Sequence, residues 1–174
     1  MTHPYDVGDH LKIDQKDLIV KKIDLLTTTF AHINGQHYII PNAMLLKKQI
    51  INFRRSENQA ELYTIGINFD TPLAKIDSLA ESMRLFVQNN PLEFKPRVIV
   101  KYLELERCSL LNLSIGAVYR NNWQNSMYYW TARNKFMSHL RTQIVALKLT
   151  YTTEINNINI VNSSNLLSSI APKK

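Results

Sequence analysis

The sequence has little cysteine and little glycine. It has one cysteine, Cys108, and four glycines in 174 residues. A single cysteine excludes a disulfide within the chain and fits a reducing compartment. The glycines form no phosphate-binding loop, and Cys108 has no identifiable base. Nucleotide binding and cysteine catalysis therefore have no support.

Histidines spaced for metal binding and long apolar runs are missing as well. The five histidines fall in predicted turns, strands and one helix, without paired ligand spacing: His3, His10, His32, His37 and His139. This distribution predicts no metal site, and we expect no cofactor. No run approaches the roughly eighteen apolar residues of a membrane span, and the N-terminus lacks the core of a signal peptide. The chain as given is therefore predicted to be a soluble piece.

The chain is basic, but its excess charge is spread along the sequence. The formal net charge is +7, and 45% of the residues are apolar, which is enough for a buried core. Residues 1–60 contain 8 Lys and Arg against 6 Asp and Glu, and residues 61–174 contain 13 against 8. A dispersed excess of this kind argues against a nucleic-acid-binding arm.

Short strands separated by turns are predicted throughout the first 56 residues. Asn34-Gly35 is the strongest hairpin signal in the chain. Pro41 is expected to end a strand, because it has no N–H to give, and Asn42 to cap the helical turn that follows. The five predicted strands cover residues 11–13, 18–26, 27–33, 38–40 and 49–53. This spacing is typical of a small SH3-like or Sm-like β-barrel.

Longer alternating and helical segments follow from residue 57. Apolar residues alternate over Glu61–Phe69, and helical spacing begins after Asp70, which is expected to cap the helix. Two more strands, a helix over residues 124–147 and a last strand over residues 148–153 complete the pattern. The order β-α-β-β-α-β predicts a ferredoxin-like domain.

These patterns together predict an α+β chain in three parts. Residues 1–56 form the barrel, and residues 57–153 form the ferredoxin-like domain. Residues 154–174 are rich in asparagine and poor in apolar residues, so we expect a loosely ordered tail that contributes little to stability.

Two features of the first part are candidates for function. The sharp corner after the fourth strand leaves strand edges pointing outward, and exposed edges invite another copy of the chain. The residues expected at this interface are Pro41, Asn42, Ile50, Ile51 and Phe53. The second feature is a run of four cations without an acid, Lys47, Lys48, Arg54 and Arg55. They form either a solvated face or, repeated around a ring, an electropositive rim that enriches anions.

A set of motifs, taken in order, resembles one family. The motifs are His3-Pro4-Tyr5-Asp6-Val7-Gly8-Asp9, Leu25-Leu26-Thr27-Thr28-Thr29-Phe30, Asn34-Gly35-Gln36, Ile40-Pro41-Asn42, Ile51-Asn52-Phe53-Arg54-Arg55-Ser56, Ile67-Asn68-Phe69-Asp70-Thr71 and Trp123-Gln124-Asn125. They resemble the cytosolic region of the MscS-like mechanosensitive ion channels, in a form closest to the fungal and plant branch. The resemblance covers roughly residues 3–153, and it depends on order and spacing, since no single motif is specific.

The resemblance implies a tension-gated ion channel whose copies form a homo-oligomeric ring, a heptamer. The chain would be attached to the membrane through helices that it does not itself contain. Its copies would surround a vestibule with side portals for permeating ions. It further implies the endoplasmic reticulum or plasma membrane as location, roles in osmotic regulation and calcium homeostasis, no nucleic-acid partner and no enzymatic activity.

One alternative stays open at this point, an Sm-like ring protein that binds RNA. The predicted barrel, the ring tendency and the positive charge favour it. The dispersed charge and the lack of an aromatic residue paired with a basic one in a single loop disfavour it. A ferredoxin-like enzyme has less support, because no acid and base pair can be identified.

Overall fold

The computed structural model describes residues 3–106 and 110–150. The first half of this part is a five-stranded antiparallel sheet with one turn of helix. Its elements are β1 (His10–Ile13), β2 (Lys16–Ile23), β3 (Thr27–His32), β4 (His37–Pro41), α1 (Asn42–Leu45) and β5 (Ile50–Asn52). The strand order is β4-β3-β2-β1-β5, so β4 and β5 form opposite edges of the sheet. Among the described residues these two edges are not paired with each other, and the sheet is open.

Turn chemistry and alternation explain why these residues form this sheet. Asp14 and Gln15 both adopt positive φ (49° and 64°) between β1 and β2, as a two-residue hairpin turn requires. Gly35, with φ of 86°, makes the β3–β4 turn that its Asn-Gly signal predicts. Alternate positions of the strands point inward and form one core with the N-terminal segment and α1. The buried members are Tyr5, Leu11, Ile13, Leu18, Val20, Phe30 and Leu45.

The second half combines a three-stranded antiparallel sheet with two helices. Its elements are β6 (Ala60–Asn68), α2 (Leu73–Asn89), β7 (Phe94–Glu106), β8 (Leu110–Tyr119) and α3 (Ser126–Ala146). The strand order β6-β8-β7 places β8 between two strands that run parallel to each other. The predicted α+β class is confirmed. The last predicted strand falls on residues 148–153, of which only the first three are described, and these carry no strand.

The second sheet and its helices have a core of their own. Its fully buried large side chains are Ile76, Leu79, Met83, Phe94, Leu113, Ile115, Tyr119 and Phe136. Gly116 lies in the middle of β8, where a Cβ atom would come within 1.9 Å of the carbonyl oxygen of Glu61. The two strands can approach this closely only because position 116 has no side chain.

Two helix starts differ from the sequence prediction. The residues at the N-cap positions of α1 and α2 are Pro41 and Pro72, and neither start has a side-chain cap. Asn42 is already inside its helical turn, and Asp70 precedes the N-cap by two residues. Neither side chain can therefore accept a bond from the first free N–H groups. Asn125 does cap α3, because its Oδ1 accepts from the N–H of Tyr128 at 3.2 Å.

Candidate functional site

The corner at the end of β4 is held by the side chain of Asn42. Its Oδ1 accepts a hydrogen bond from the hydroxyl of Thr28 at 2.8 Å. Its Nδ2 donates to the carbonyls of Asp24 and Leu25, at 2.9 and 3.0 Å. An amide is suited to this position because it accepts at one atom and donates at the other. The predicted cap is thus replaced by bonds that join α1 to the β2–β3 hairpin.

Four large apolar side chains are exposed at this corner, and we call them the apolar tip. They are Leu25, Leu26, Met44 and Leu46, with exposed fractions of 93%, 77%, 52% and 88%. The tip lies at the same end of the sheet as the N-terminal segment, since the Tyr5 hydroxyl is 3.3 Å from that of Thr28. Neighbouring apolar side chains with this exposure mark a contact surface. Sequence analysis missed the tip, because Leu25 and Leu26 end an apolar run that was assigned to a strand, while Met44 and Leu46 were assigned to the helical turn.

The five residues predicted for an interface do not share one surface. Pro41 and Ile51 are exposed, whereas Asn42 and Ile50 are half-buried within the first sheet. Phe53 was predicted at the interface, but its side chain is buried within the chain, with an exposed fraction of only 6%. Its ring contacts His10 at 4.7 Å and Trp123 at 6.0 Å, between the two halves of the chain. Phe53 lies one residue beyond β5 and therefore turns away from the sheet edge.

Three of the four cations of the predicted rim are paired with acids from the N-terminal region. Arg54 Nη1 lies 3.3 Å from Asp9 Oδ1, and Arg55 Nη2 lies 2.7 Å from Asp6 Oδ2. Lys48 pairs with Asp14. Lys47 is exposed and has no ion-pair partner in the part of the chain that the structure describes. The local positive charge is therefore much lower than the run of cations suggests. The sequence did not reveal this pairing, because the acids lie 34 or more residues away along the chain.

Asp9 is the buried centre of this charged cluster. Burial by itself raises the pKa of its carboxyl, but hydrogen bonds from the Asp6 N–H, Asn52 and Arg54 outweigh burial and lower the pKa below 3.8. The Asp6 bond is 3.0 Å long and the Asn52 bond 2.8 Å. The carboxylate thus fastens the N-terminal turn, in which Gly8 has φ of 91°, to the end of β5.

A second set of contacts joins the two sheets, and we call it the junction. The side chain of Gln124 accepts from the N–H of His10 at 2.9 Å and donates to the carbonyl of Gly8 at 2.8 Å. The ring Nδ1 of His10 is 3.0 Å from the carbonyl of Trp123. That oxygen can only accept, so Nδ1 carries the proton. The ring of Phe53 packs between those of His10 and Trp123. A polar groove of about 520 Å³ opens beside the junction.

Next to the junction, Glu61 collects four donors on one carboxylate. Three tyrosine hydroxyls donate to its Oε2, those of Tyr63 at 2.5 Å and of Tyr119 and Tyr129 at 3.1 Å. Arg133 Nε donates to the other oxygen at 3.1 Å. Burial, and then the bond to Glu61, raises the pKa of Tyr63 to about 12. The tyrosines thus remain neutral donors, and the cluster binds α3 and β8 to the start of β6.

The described residues contain no group of three or more His, Cys, Asp and Glu side chains that could hold a metal ion. Within the same residues, no helix combines the length and the apolar character needed to cross a membrane. Cys108 lies outside the described residues. The candidate site thus combines fixed contacts between elements with the exposed apolar tip.

The chain is similar to known mechanosensitive ion channels. A sequence model described as mechanosensitive ion channel, beta-domain, matches residues 1–55. Mechanosensitive ion channel protein 10 of Arabidopsis thaliana is 30% identical over 160 residues, which make up 92% of this chain and 22% of that protein. Mechanosensitive ion channel protein BA of Emericella nidulans is 33% identical over 140 residues, 79% of this chain and 15% of that protein. The chain thus spans about a fifth or less of the length of these relatives.

A solved structure has the same fold. The cryo-EM structure of MSL1 of Arabidopsis thaliana matches with a TM-score of 0.68 at 18% identity, over 87% of this chain and 54% of that chain. The likeness at this identity concerns the fold alone. The named relatives are ion channels and not enzymes. The chain belongs to the MscS-like family of mechanosensitive ion channels.

Proposed function

We propose that this chain is the cytosolic vestibule portion of a membrane-tension-gated ion channel. The family match over residues 1–55 and the relatives that are several times longer support this proposal. In it, membrane helices belong to the rest of a longer protein, and copies of the chain form a homo-oligomeric ring of seven around solute portals. The endoplasmic reticulum or plasma membrane is the proposed location, with roles in osmotic regulation and calcium homeostasis.

The division of labour within the chain follows the two sheets. Residues 1–56 are proposed as the Sm-like domain next to the membrane part, and residues 57–153 as the wall of the vestibule. The two separate cores support this division. The unpaired edges of β4 and β5, with Pro41 and Ile51 exposed near them, are the surfaces we propose for neighbouring copies. Phe53, whose side chain is buried within the chain, is left out of the proposed interface.

The observation that carries the proposal is the apolar tip. Its four side chains are exposed at the end of the first sheet where the N-terminal segment lies. In a channel subunit that end would face the membrane part of the protein. Contact there would remove the tip from water and would stabilise the contact by about 25 cal/mol for each Å² of apolar surface covered. The tip is therefore proposed as a contact through which the membrane part and the vestibule act on each other.

Patch-clamp recording from the full-length protein tests this function. Membrane patches from cells that express it should show currents that open with suction. Leu25→Ser with Leu26→Ser should shift the opening pressure or abolish the current. Leu92→Ser is the control, because Leu92 has the same exposed fraction as Leu26, 77%, but lies in the second half of the chain. Absence of tension-gated current would refute the channel function, whereas unchanged gating in the tip variant would refute only the role of the tip.

The ring is tested separately. Native mass spectrometry of the detergent-solubilised full-length protein should give a mass of seven subunits, and a monomer would contradict the ring. The RNA-binding alternative is not favoured, since the relatives are channels and three of the four rim cations are already paired with acids. Salt-dependent binding of single-stranded RNA to the purified chain would revive it.

A further inference from the structure

The polar groove beside the junction has walls from two separate segments of the chain. Residues 56–58, between the two sheets, form one wall, and residues of the β8–α3 connection with the first turn of α3 form the other. Its volume of about 520 Å³ lies within the range of about 300–1,000 Å³ that is typical of small-molecule sites. All of its lining residues are polar, so the molecule that it fits is polar as well.

Several polar side chains of the groove are already bonded within the protein. The amide of Asn58 donates to the carbonyl of Arg120, and the amide of Asn122 donates to the carbonyl of Arg54 at 3.0 Å. Gln124 is held by its two bonds at the junction. These bonds fix the two walls relative to each other, so the groove is formed before a ligand enters it.

Two opposite charges in these walls have no partner. Glu57 and Arg120 are both exposed, and in the described part of the chain neither side chain forms an ion pair or a hydrogen bond. Nearby charges that could neutralise them are already engaged. These pairs are Arg54 with Asp9, Arg55 with Asp6, and Lys135 with Glu93, whose carbonyl accepts from the N–H of Arg120. The groove therefore offers one free carboxylate on one wall and one free guanidinium on the other.

Uncharged polar groups without a partner occur in the same region. The side chain of Asn121 lines the groove and makes no hydrogen bond among the described residues. Nε1 of Trp123 and Oε1 of Gln59 are buried, and within the described residues they have no hydrogen-bond partner either. Both residues directly adjoin lining residues along the chain. Buried polar atoms are nearly always hydrogen-bonded, so these two mark a region that a polar ligand can complete.

We propose that the polar groove binds a small zwitterion, a free amino acid. Its carboxylate would pair with Arg120, which can donate two parallel hydrogen bonds, and its ammonium group would pair with Glu57. A simple anion would leave Glu57 unpaired, and a simple cation would leave Arg120 unpaired. Both pairs are exposed to solvent, so we expect a dissociation constant in the millimolar range. This site goes beyond the proposed channel function and does not depend on it.

NMR titration of the 174-residue chain with L-glutamine tests the proposal. Glutamine carries both charges, and its net charge of zero leaves the ionic strength unchanged. We expect saturable shifts of the side-chain signals of Asn121 and Arg120. Propionate and propylamine each carry only one of the two charges and should bind about fivefold more weakly. Absence of saturable shifts with glutamine, or equally tight binding of either single-charge probe, would overturn the proposal.

Two substitutions assign the charges to their residues. Arg120→Gln and Glu57→Gln should each raise the dissociation constant for glutamine about fivefold. Arg120→Gln should also weaken the binding of propionate but not that of propylamine. Glu57→Gln should weaken the binding of propylamine but not that of propionate. A residue that only supports the walls would not produce this crossed pattern.

Arg84→Gln is the matched control, because Arg84 is an exposed arginine of α2 that does not line the groove. It should leave the binding of all three probes unchanged. The comparison of the three probes on the wild-type chain decides the proposal even where a variant does not fold. Glutamine binding that survives both Arg120→Gln and Glu57→Gln would overturn it.

Discussion

Replacement of Asn42 by alanine should destabilise the first sheet by more than the loss of a helix cap. The change removes one bond from the Thr28 hydroxyl and two to the carbonyls of Asp24 and Leu25. A hydrogen bond contributes about 0.5–1.5 kcal/mol net. Thr28 is fully buried, so water cannot replace its lost acceptor and only the longer contact to the Tyr5 hydroxyl, at 3.3 Å, remains. The two carbonyls lie at a turn that water can reach. We expect the free energy of unfolding to fall by about 2 kcal/mol, against about 1 kcal/mol for a cap alone.

Urea unfolding of the 174-residue chain, followed by circular dichroism, measures this loss. Asn121→Ala is the matched control, because Asn121 is exposed and its side chain makes no hydrogen bond in the described part of the chain. Asn42→Asp should fall between wild type and Asn42→Ala, since it keeps the acceptor for Thr28 but cannot donate to the two carbonyls.

A loss below about 0.5 kcal/mol in Asn42→Ala would refute the reasoning, because surface substitutions without such bonds stay within that range. A loss near 1 kcal/mol with Asn42→Asp fully stable would return Asn42 to the role of a cap. The oligomer fraction, measured by light scattering, should fall together with the stability. The apolar tip and the corner at Asn42 both belong to the first sheet, so a change that destabilises the corner also destabilises the surfaces proposed for contact.

Two further perturbations test the contacts that the structure assigns. Gly116→Ala should lower the free energy of unfolding by about 3 kcal/mol or more, because the new Cβ would lie 1.9 Å from the carbonyl oxygen of Glu61. A thermal unfolding midpoint equal to that of wild type would contradict this, because it would show that β6 and β8 can move apart at no cost. Asp9 has a pKa below its unfolded value of 3.8, so its carboxylate stabilises the fold above that pH, and the stabilisation disappears as the pH falls through the lower folded pKa. Asp9→Asn should therefore flatten the dependence of stability on pH below about 4, and an unchanged slope in acid would contradict the role given to this carboxylate.

The sequence predicted most elements of the fold because each has a local signal. Asn34-Gly35 indicated the β3–β4 hairpin, and the structure turns there with Gly35 at φ of 86°. The alternation over residues 61–69 corresponds to β6, and the apolar spacing after Pro72 corresponds to α2. These signals depend on neighbours within one turn or one strand, so a single sequence reveals them.

The candidate site could not be predicted to the same extent, because its contacts join residues far apart. Gln124 bonds to His10 across 114 positions, and Arg54 bonds to Asp9 across 45. A run of cations without acids looks electropositive until the fold supplies the acids. Asn42 was recognised as important, but the role predicted for it, a helix cap, was wrong. Whether an amide caps a helix or binds a hairpin depends on which residue occupies the N-cap, and proline does so here.

The N-terminal turn is connected to both halves of the chain. Asp9 binds Asn52 and Arg54 at the end of β5, while the carbonyl of the adjacent Gly8 accepts from Gln124 ahead of α3. Each half has its own core, and the junction joins the two halves through direct hydrogen bonds and through the contact of Phe53 with Trp123. A displacement of residues 6–9 would therefore reach β5 and α3 through direct hydrogen bonds. In the proposed channel this turn lies at the end of the sheet that faces the membrane part, so it offers a direct hydrogen-bonded path from that part to the vestibule wall.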